Sequence, residues 1–316
     1  MVVQLPKKKS TLLSIPLRFV VDMKGIVRVA ATARFCVGLT FIAVSIRTST
    51  SAASSSNNLG PSSLELFQNS WITYKTVVNA DLMEHKSMTQ KLSDAIHSWI
   101  DDRAVASTST NSLISIADLG CGDLALLGPV YKSLPLKLFC GVDMSLSALS
   151  HARLAFADQP DVSTTSTVWL NDDILSWAKT IEMGSDEETI CIQKFDVIVC
   201  AFSVHHLDDE DKSKILTALV SNKLNKGGVI LMADIFRIEN EDRDEYIGRF
   251  RSHIEANWNV ISPDQKIEVV KHVTENDFPA SLQHFMSDIA PSCGLNCDLL
   301  WSDTADFEKL LKLTVI

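Results

Sequence analysis

Four apolar runs in the middle of the chain each end in glycine, acidic or histidine residues that could bind a polar ligand. The first run ends in Asp118-Leu-Gly-Cys-Gly122 and the second in Asp143. The third ends in Asn171-Asp-Asp173 and the fourth in Ser203-Val-His-His206. Glycine lets the backbone turn tightly and approach a ligand closely, and carboxylates accept hydrogen bonds from hydroxyl and amino groups. These four segments indicate a ligand site, provided that the fold brings them together.

The elements that would position these segments alternate between strand and helix. Short apolar runs at residues 113–119, 136–142, 166–170, 195–202 and 229–235 alternate with amphipathic helical patterns. Such runs are typical of parallel strands that helices cover on both faces of a sheet. In a doubly wound α/β fold of this kind, ligands bind at the carboxyl ends of the strands. The pattern therefore predicts that the four polar segments meet at one end of the sheet.

The flanking residues complete one domain, which we expect to cover residues 62–316. A helical pattern at about 62–102 predicts N-terminal lid helices, which precede the core at about 113–236. Residues 237–316 contain three further helical patterns, and two strand candidates follow near the C-terminus. The prediction is an α/β domain with a doubly wound, seven-stranded, mostly parallel sheet and a helical lid.

The first 60 residues differ from the rest in charge and composition. They carry eight Lys and Arg residues against one acid and sum to +7, whereas the remaining residues sum to −17. A 12-residue apolar run at 35–46, too short to span a bilayer alone, precedes a Ser/Thr-rich tract at 48–56. This composition predicts a disordered or cleaved leader for a plastid or mitochondrion. Two alternatives stay open: a membrane anchor at residues 26–46, and an untargeted extension of a cytoplasmic protein.

Charge and cysteine spacing bear on the partners and metals that the chain could bind. The acidic body disfavours nucleic acid, because its charge repels the phosphate backbone. We therefore expect a small-molecule substrate. The seven cysteines are scattered and show no CxxC or histidine pairing that would support zinc, so the sequence predicts no metal site.

The sequence of residues 113–236 resembles that of the class I S-adenosylmethionine-dependent methyltransferases. SIADLGCGD resembles their first glycine motif, LFCGVDMS the acidic end of their second strand, and NDDILSW their adenine-binding segment. FDVIVCAFSVHHL followed by LNKGGVILMADI resembles the fourth and fifth strands of many members that act on small molecules. The flanking sequences YKTVVN and HVTENDFP of this chain also resemble those of a bacterial-type subfamily. The resemblance implies a Rossmann-like methyltransferase fold.

The resemblance also implies S-adenosylmethionine as the cofactor. Its methionine end would lie against Asp118 and the two glycines of the first motif, and its ribose against Asp143. Its adenine would meet Asp173 and the backbone at Ile174. The implied cofactor-binding residues are Tyr74, Asp118, Gly120, Cys121, Gly122, Asp143, Met144, Asp172, Asp173, Ile174 and Ser203. One position departs from the family, because Leu124 stands where a third glycine is usual.

The catalytic candidates are His205 and His206, which follow the fourth strand beside the expected position of the transferred methyl group. Histidine can bind an acceptor or remove its proton, and we prefer His206 for this role. The alternative is that a histidine here only caps the following helix or fixes the loop. His85 of the lid is a further candidate to face the site.

Several acceptors and two other functions stay open. The acceptor can be an organic acid, a thioether, an amine or a hydroxyl compound. Arg237 and Arg243 are candidates to neutralise an acid, but a solvated helix position is the preferred interpretation of both. The segment Gly120-Cys-Gly-Asp-Leu-Ala125 also fits the dinucleotide fingerprint, which would indicate an NAD-dependent oxidoreductase on the same fold. Asp118 before the first glycine and the two histidines favour the methyltransferase. A module that binds S-adenosylmethionine without catalysis is the third possibility.

Overall fold

The computed structural model describes residues 71–106, 113–157, 165–181 and 193–316. It also describes the backbone of two short antiparallel strands, Arg18–Val21 and Val27–Ala30. Compact units are formed by Met1–Asn57 and by Asn58–Ile316. The predicted apolar run at 35–46, the Ser/Thr-rich tract at 48–56 and the start of the predicted lid at 62–70 lie outside the described residues.

Seven strands of the second unit form one sheet. They are β1 Ile114–Leu119, β2 Leu136–Asp143, β3 Ser166–Asn171, β4 Phe195–Ala201, β5 Leu224–Ile235, β6 Leu295–Ser302 and β7 Glu308–Val315. Their order is β3-β2-β1-β4-β5-β7-β6. The first five are parallel, and β7 runs antiparallel to both of its neighbours. The predicted seven-stranded, mostly parallel sheet is confirmed.

Helices cover both faces of this sheet. They are α1 Trp71–Asn79, α2 His85–Ala106, α3 Gly128–Lys132, α4 Leu146–Ala157, α5 Ile174–Lys179, α6 Asp209–Ala218, α7 Arg243–Asn257 and α8 Pro263–Asn276, followed by helical turns over residues 282–292. Trp177 of α5 and Ile215 of α6 are buried against one face, and Leu92 of α2 and Leu149 of α4 against the other. Within the described residues, no helix combines the length and apolarity that crossing a membrane requires.

Side-chain caps explain where several helices begin. Oγ of Ser145 accepts a hydrogen bond of 3.2 Å from the backbone of Ala148 at the start of α4. Asp208 caps α6 in the same way, through a bond of 2.8 Å from the backbone of Asp211. Such caps satisfy backbone N–H groups that have no partner within the helix. They therefore fix the starting point of the helix after each strand.

The predicted helical lid is interrupted at residues 80–84. Asp81 and Glu84 adopt positive φ angles of 57° and 48°, which end α1 and turn the chain before α2. Oδ1 of Asp81 accepts a hydrogen bond of 2.9 Å from the backbone of Lys86 and stabilises this turn. Because of the turn, His85 is the first residue of α2.

A third apolar cluster lies at the carboxyl end of the sheet. It packs α1, α7 and α8 around aromatic side chains, and its members include Val77, Ile235, Tyr246, Phe250, Trp258, Val273 and Phe307. Five of these residues also line the cavity described next: Val77, Ile235, Phe250, Trp258 and Val273. The cluster thus places an apolar wall opposite the strand ends.

Candidate active site

A cavity of about 580 Å³ lies at the carboxyl ends of β1, β2 and β4 and extends to α1, α7 and α8. Twelve of the thirteen site residues predicted from the sequence line it. They are Tyr74, Asp118, Gly120, Cys121, Gly122, Asp143, Met144, Asp173, Ile174, Ser203, His205 and His206. The fold therefore brings the four polar segments together, as their positions after the strands predict.

The glycine loop after β1 adopts a shape that favours glycine. Gly120 has a φ angle of +72°, and a Cβ atom here would lie 2.6 Å from Cβ of Ser203. Gly122 has a φ angle of +57°, with open space where its Cβ would be. The backbone N–H groups of Gly120 and Cys121 donate hydrogen bonds of 2.8 and 3.1 Å to the carbonyl of Val142 in β2. The loop is thus fixed to the neighbouring strand while it lines the cavity.

The carboxylate of Asp118, near the end of β1, is buried beside the cavity. Its Oδ2 accepts a hydrogen bond of 2.9 Å from the hydroxyl of Tyr131, whereas Oδ1 has no hydrogen-bond partner in the described part of the chain. Burial raises the pKa of Asp118 to about 7; the Tyr131 bond opposes this rise and the charge of Asp143 adds to it. A cationic group at Oδ1 would satisfy this atom and favour the ionised carboxylate.

Asp143, at the end of β2, ties two loops together. Its Oδ2 accepts a hydrogen bond of 2.8 Å from the backbone of Gly122, and its Oδ1 one of 2.7 Å from that of Ser145. The side-chain amide of Asn171 donates to the carbonyls of Asp143 and Met144 at 3.1 and 2.7 Å. Burial raises the pKa of Asp143, although its two backbone hydrogen bonds act in the opposite direction. Each carboxylate oxygen keeps a further lone pair with which to accept from a ligand hydroxyl.

The third predicted segment forms the start of α5. Oδ1 of Asp173 caps the helix by accepting a hydrogen bond of 2.8 Å from the backbone of Ser176. Asp173 and Ile174 line the cavity, whereas Asp172 is exposed, does not line it, and accepts a hydrogen bond from the backbone of Asp173. An adenine amino group at Asp173 would therefore bind the oxygen that the cap leaves available.

Two bulky residues of the cavity wall adopt left-handed backbone conformations. Leu124, which stands at the position of the family's third glycine, has a φ angle of +57° and a buried side chain. Phe202 has a φ angle of +53°, and its ring packs edge-on against His85 with the ring centroids 5.3 Å apart. This conformation costs a residue with a Cβ atom about 1–2 kcal/mol. The chain thus keeps the backbone shape of glycine at position 124 and gains a core side chain there.

Three further predicted cofactor residues contribute polar atoms to the cavity. Burial, followed by the charge of three nearby carboxylates, raises the pKa of the Tyr74 hydroxyl, which stays protonated. Oγ of Ser203 is buried and has no hydrogen-bond partner among the residues that the structure describes. Burial also raises the pKa of the Cys121 thiol, which favours its protonated form.

The opposite end of the cavity is built from the C-terminal helices. Phe250 of α7, Trp258 after it, and Glu268 and His272 of α8 line this end. Oε2 of Glu268 accepts a hydrogen bond of 2.7 Å from Thr73 in α1, which connects the two sides of the cavity. No lysine or arginine of the described segments lines the cavity. We call this region, together with His205, His206 and Asp277, the acceptor end.

His205 is buried and held by Asp234, near the end of β5. Its Nδ1 forms a hydrogen bond with Oδ1 of Asp234, and Oδ2 of Asp234 accepts bonds of 2.9 and 3.0 Å from the backbones of Val204 and His205. Burial lowers the pKa of His205, but the charges of Asp234 and Asp277 outweigh this effect and raise it. Since Asp208 caps α6, the alternative that the histidines cap this helix is wrong.

Asp277 lies among three histidines. Its Oδ1 is 3.6 Å from Nε2 of His205, 3.3 Å from Nδ1 of His206 and 3.7 Å from Nε2 of His272. Burial raises the pKa of Asp277, but the charge of His205, an interaction of hydrogen-bond type with His206 and the charges of His206 and His272 outweigh this effect and lower it. The side chain of His206 is 32% exposed, whereas that of His205 is 5% exposed, so His206 is the histidine that a bound molecule can reach more easily.

His85, at the start of α2, is a neutral histidine in the cavity wall. Burial lowers its pKa to about 4, although the charge of Asp81 opposes this change. Its Nδ1 is buried without a hydrogen-bond partner among the described residues. His85 can therefore offer a hydrogen bond to a ligand without carrying a charge.

Arg237 and Arg243 do not line the cavity. Nε of Arg237 donates to the carbonyl of Pro279, and Nε of Arg243 to that of Asp277, both at 2.7 Å. The interpretation of either arginine as a partner for an acidic substrate is therefore wrong. They hold the segment after α8 in place instead.

Sequence reasoning missed the part of the site that comes from the C-terminal third. Asp234 follows no glycine motif, and the stretch from His272 to Pro279 was assigned only to helices. The one available signal was the presence of a histidine and an acid in that stretch, His272 and Asp277. Without the fold, nothing in the sequence places them beside His205.

Comparison with known proteins identifies the domain. Residues 117–230 match the family profile described as a methyltransferase domain. No curated protein sequence matches the chain.

The fold is similar to those of solved methyltransferases. One is magnesium protoporphyrin IX methyltransferase from Synechocystis PCC 6803 with bound SAH, at 12% identity and a TM-score of 0.50 over 80% of this chain and 97% of the other. The plantazolicin methyltransferase BpumL with SAH matches at 15% identity and 0.50, over 80% and 95%. A SAM-dependent methyltransferase from Leishmania major matches at 13% and 0.50, over 80% and 81%. At these identities the similarity establishes the fold.

Proposed function

We propose that this chain, whose residues 117–230 match a methyltransferase domain, uses S-adenosylmethionine to methylate a small molecule on a hydroxyl or amino group. The acceptor would bind at the acceptor end of the cavity, next to His206. The observation that carries this proposal is the continuity of one cavity from the glycine loop to this histidine. Cofactor and acceptor can therefore meet inside a single cavity.

The strand ends carry groups that fit S-adenosylmethionine. Oδ1 of Asp118, which has no hydrogen-bond partner among the described residues, can accept a hydrogen bond from an ammonium group. The open space at Gly122 lets a ligand approach the backbone. When bound, the cofactor supplies a methyl group activated on a sulfonium. The chain's own contribution is to orient the two reactants and to exclude water. Correct alignment of this kind can lower a barrier by ~7–11 kcal/mol.

The charge of the acceptor end supports a neutral or cationic acceptor over an organic acid. Among the described residues, no lysine or arginine lines the cavity, whereas the carboxylates of Glu268 and Asp277 do. A thioether carries no proton for a histidine to remove, whereas a hydroxyl or a protonated amine does. A role of the histidines in proton removal therefore favours a hydroxyl or an amine as the acceptor.

The two catalytic candidates have different surroundings, which supports different tasks. His206 has the more exposed ring, so we assign it to contact with the acceptor. His205 is held by Asp234 and acts as a positioning residue that orders the loop after β4. Phe250 and Trp258 supply apolar wall, which helps to keep water from the reacting atoms.

The names of two similar structures give independent support for a small-molecule acceptor. The Synechocystis enzyme is named for magnesium protoporphyrin IX, and BpumL for plantazolicin. Neither name specifies the acceptor of this chain, but both enzymes have this fold and are named for a small organic molecule.

A transfer assay tests the proposal. The full chain is incubated with S-adenosylmethionine that is labelled in its methyl group and with separate pools of alcohols and phenols, amines, thioethers and organic acids. We expect label in the first or second pool, and a loss of at least about 100-fold in Asp143→Ala. Asp172→Ala is the matched control and should retain the wild-type rate, because Asp172 lies outside the cavity. Transfer confined to organic acids or thioethers would contradict the proposed acceptor class.

A further inference from the structure

We propose that His205, His206 and Asp277 bind a divalent transition-metal ion, Zn²⁺ or Fe²⁺, at the acceptor end of the cavity. Their ligand atoms all lie within 4.8 Å of one another. Two imidazoles and one carboxylate are donors that suit these ions. The sequence-based prediction of no metal site rested on the cysteines, none of which takes part here.

Two distances within the cluster match those between neighbouring ligands of one metal ion. Oδ1 of Asp277 lies 3.3 Å from Nδ1 of His206 and 3.6 Å from Nε2 of His205. Metal–ligand bonds of about 2.0–2.2 Å in a tetrahedral site place neighbouring ligand atoms ~3.3–3.6 Å apart. Oδ1 of Asp277 is buried and has no hydrogen-bond partner among the described residues. A cation between the three side chains would satisfy this oxygen.

The carboxylate of Asp234 orients the ring of His205 for binding to a metal ion. Asp234 binds Nδ1 of His205, which fixes the tautomer and leaves the lone pair of Nε2 for an ion. Asp234 is itself fixed, because it also accepts hydrogen bonds from the backbones of Val204, His205 and Ile235. The buried charges of Asp234 and Asp277 together balance a divalent ion.

The loops that carry the ligands are joined before any ion binds. The backbone N–H of Phe278 donates a hydrogen bond of 2.7 Å to the carbonyl of His205. The buried ammonium of Lys212 binds backbone carbonyls of both loops. Arg243 donates to the carbonyl of Asp277 and fixes that residue from the other side. The ligands therefore need little rearrangement to bind an ion.

The carbonyl of Asn276 and the ring of His272 lie next to the proposed ion site. Nδ1 of His206 lies 3.2 Å from the carbonyl of Asn276, and this contact is given up when Nδ1 binds the ion. Nε2 of His272 lies 3.7 Å from Oδ1 of Asp277 and is the nearest further nitrogen ligand. Three protein ligands leave a coordination position for an exogenous oxygen, which is the arrangement of catalytic rather than structural zinc sites.

A metal ion at this site would restrict the class of methyl acceptor to hydroxyl compounds. This inference rests on the proposed function. An oxygen ligand of Zn²⁺ loses its proton near neutral pH. The acceptor hydroxyl would release its proton to solvent, and its oxygen would then form the new bond to the methyl carbon. The sulfur–methyl bond breaks as its electron pair returns to sulfur. The products are a methyl ether and the demethylated thioether cofactor.

Metal titration of the full, tag-free chain tests the site directly. After treatment with a chelator, the protein is titrated with Zn²⁺ by calorimetry and with Co²⁺ by visible absorption, which reports coordination. We expect one ion per chain, a loss of affinity of at least about 100-fold in His206→Ala, and one of about 10–100-fold in Asp234→Asn. His284→Ala is the matched control, because His284 forms an exposed pair with Asp288 at 2.9 Å and should not affect binding.

The controls separate the metal site from the cofactor site. Each variant is also titrated with S-adenosylmethionine, which His206→Ala should bind as the wild type does and which reports correct folding. If Asp234→Asn does not fold, the half-exposed His206 still provides the test. Absence of stoichiometric metal binding, or equal binding by the wild type and His206→Ala, would overturn the proposal. Failure of the wild type to bind S-adenosylmethionine would instead overturn the proposed function.

Discussion

The hydroxyl of Tyr131 in α3 donates a hydrogen bond of 2.9 Å to Oδ2 of Asp118 in β1, and both side chains are buried. The other oxygen of Asp118 lacks a hydrogen-bond partner within the described segments. This arrangement holds a carboxylate in a fixed position beside the cavity while its pKa is raised to about 7. The site is thus built to receive a cationic ligand group, and its charge state changes near neutral pH.

The affinity for S-adenosylmethionine should fall below pH 7. Because Asp118 holds a proton below a pKa of about 7 in the free protein, the form that binds an ammonium group decreases about tenfold per pH unit below that value. Calorimetric titration between about pH 5.5 and 8 measures this dependence. Asp118→Asn should bind weakly and with a flat profile; a wild-type affinity that does not change over this range would refute the role of Asp118.

Asp118 and His85 should affect the pH dependence of the free energy of unfolding with opposite signs. Asp118 has a folded pKa of about 7, above its ordinary value, so its stabilising contribution is present at low pH and is lost as pH rises through about 7. His85 has a folded pKa of about 4, below its ordinary value of 6.5. Its contribution is present above pH 6.5 and is lost as pH falls through about 4.

In a variant that lacks one of these two groups, the pH dependence of the free energy of unfolding should therefore show the contribution of the other group. Between about pH 4 and 7, Asp118→Asn should become more stable with rising pH relative to the wild type, and His85→Gln less stable. Urea denaturation at several pH values measures both slopes. Identical pH profiles for the two variants would show that neither shifted pKa controls stability in this range.

The two glycines of the loop should respond differently to alanine. In Gly120→Ala the new Cβ atom would lie 2.6 Å from Cβ of Ser203, so we expect a loss of about 3 kcal/mol in the free energy of unfolding. Gly122→Ala has open space and should lose only about 1–2 kcal/mol from its left-handed backbone. Both should weaken cofactor binding, measured by calorimetry. Equal destabilisation would show that the contact with Ser203 is relieved at no cost.

At position 124, a glycine variant should be more stable than an alanine variant, which is the reverse of the usual order. Both Leu124→Ala and Leu124→Gly lose a buried side chain, at a cost of about 2–5 kcal/mol. Only glycine relieves the strain of the φ angle of +57°, so Leu124→Gly should be more stable than Leu124→Ala by about 0.5–1 kcal/mol. Denaturant unfolding of the two variants decides this, and a more stable alanine variant would argue against backbone strain.

The sheet and the cofactor end of the site could be predicted because they depend on local patterns. A parallel strand such as Phe195–Ala201 is buried on both faces, so its own sequence is apolar at every position except Asp196. Asp118 and Asp143 directly follow such runs, and the carboxyl ends of parallel strands meet at one end of the sheet. Strand position alone therefore brought these residues to the cavity.

The acceptor end could not be predicted, because it depends on contacts between distant parts of the chain. His206 contacts Asn276, 70 residues further on, through the packing of the segment after α8 against the loop after β4. The positive φ angle of Phe202 had no sequence signal either, since this residue type does not favour that conformation. The predicted leader and its destination stay predictions.

Calorimetric titration of the full chain with S-adenosylmethionine and, separately, with NADH tests the central claim most directly. We expect saturable one-to-one binding of S-adenosylmethionine that Asp143→Ala weakens at least about 100-fold, since Asp143 fixes the glycine loop and faces the cavity. We expect no heat of binding with NADH. Binding of NADH without binding of S-adenosylmethionine would contradict the account.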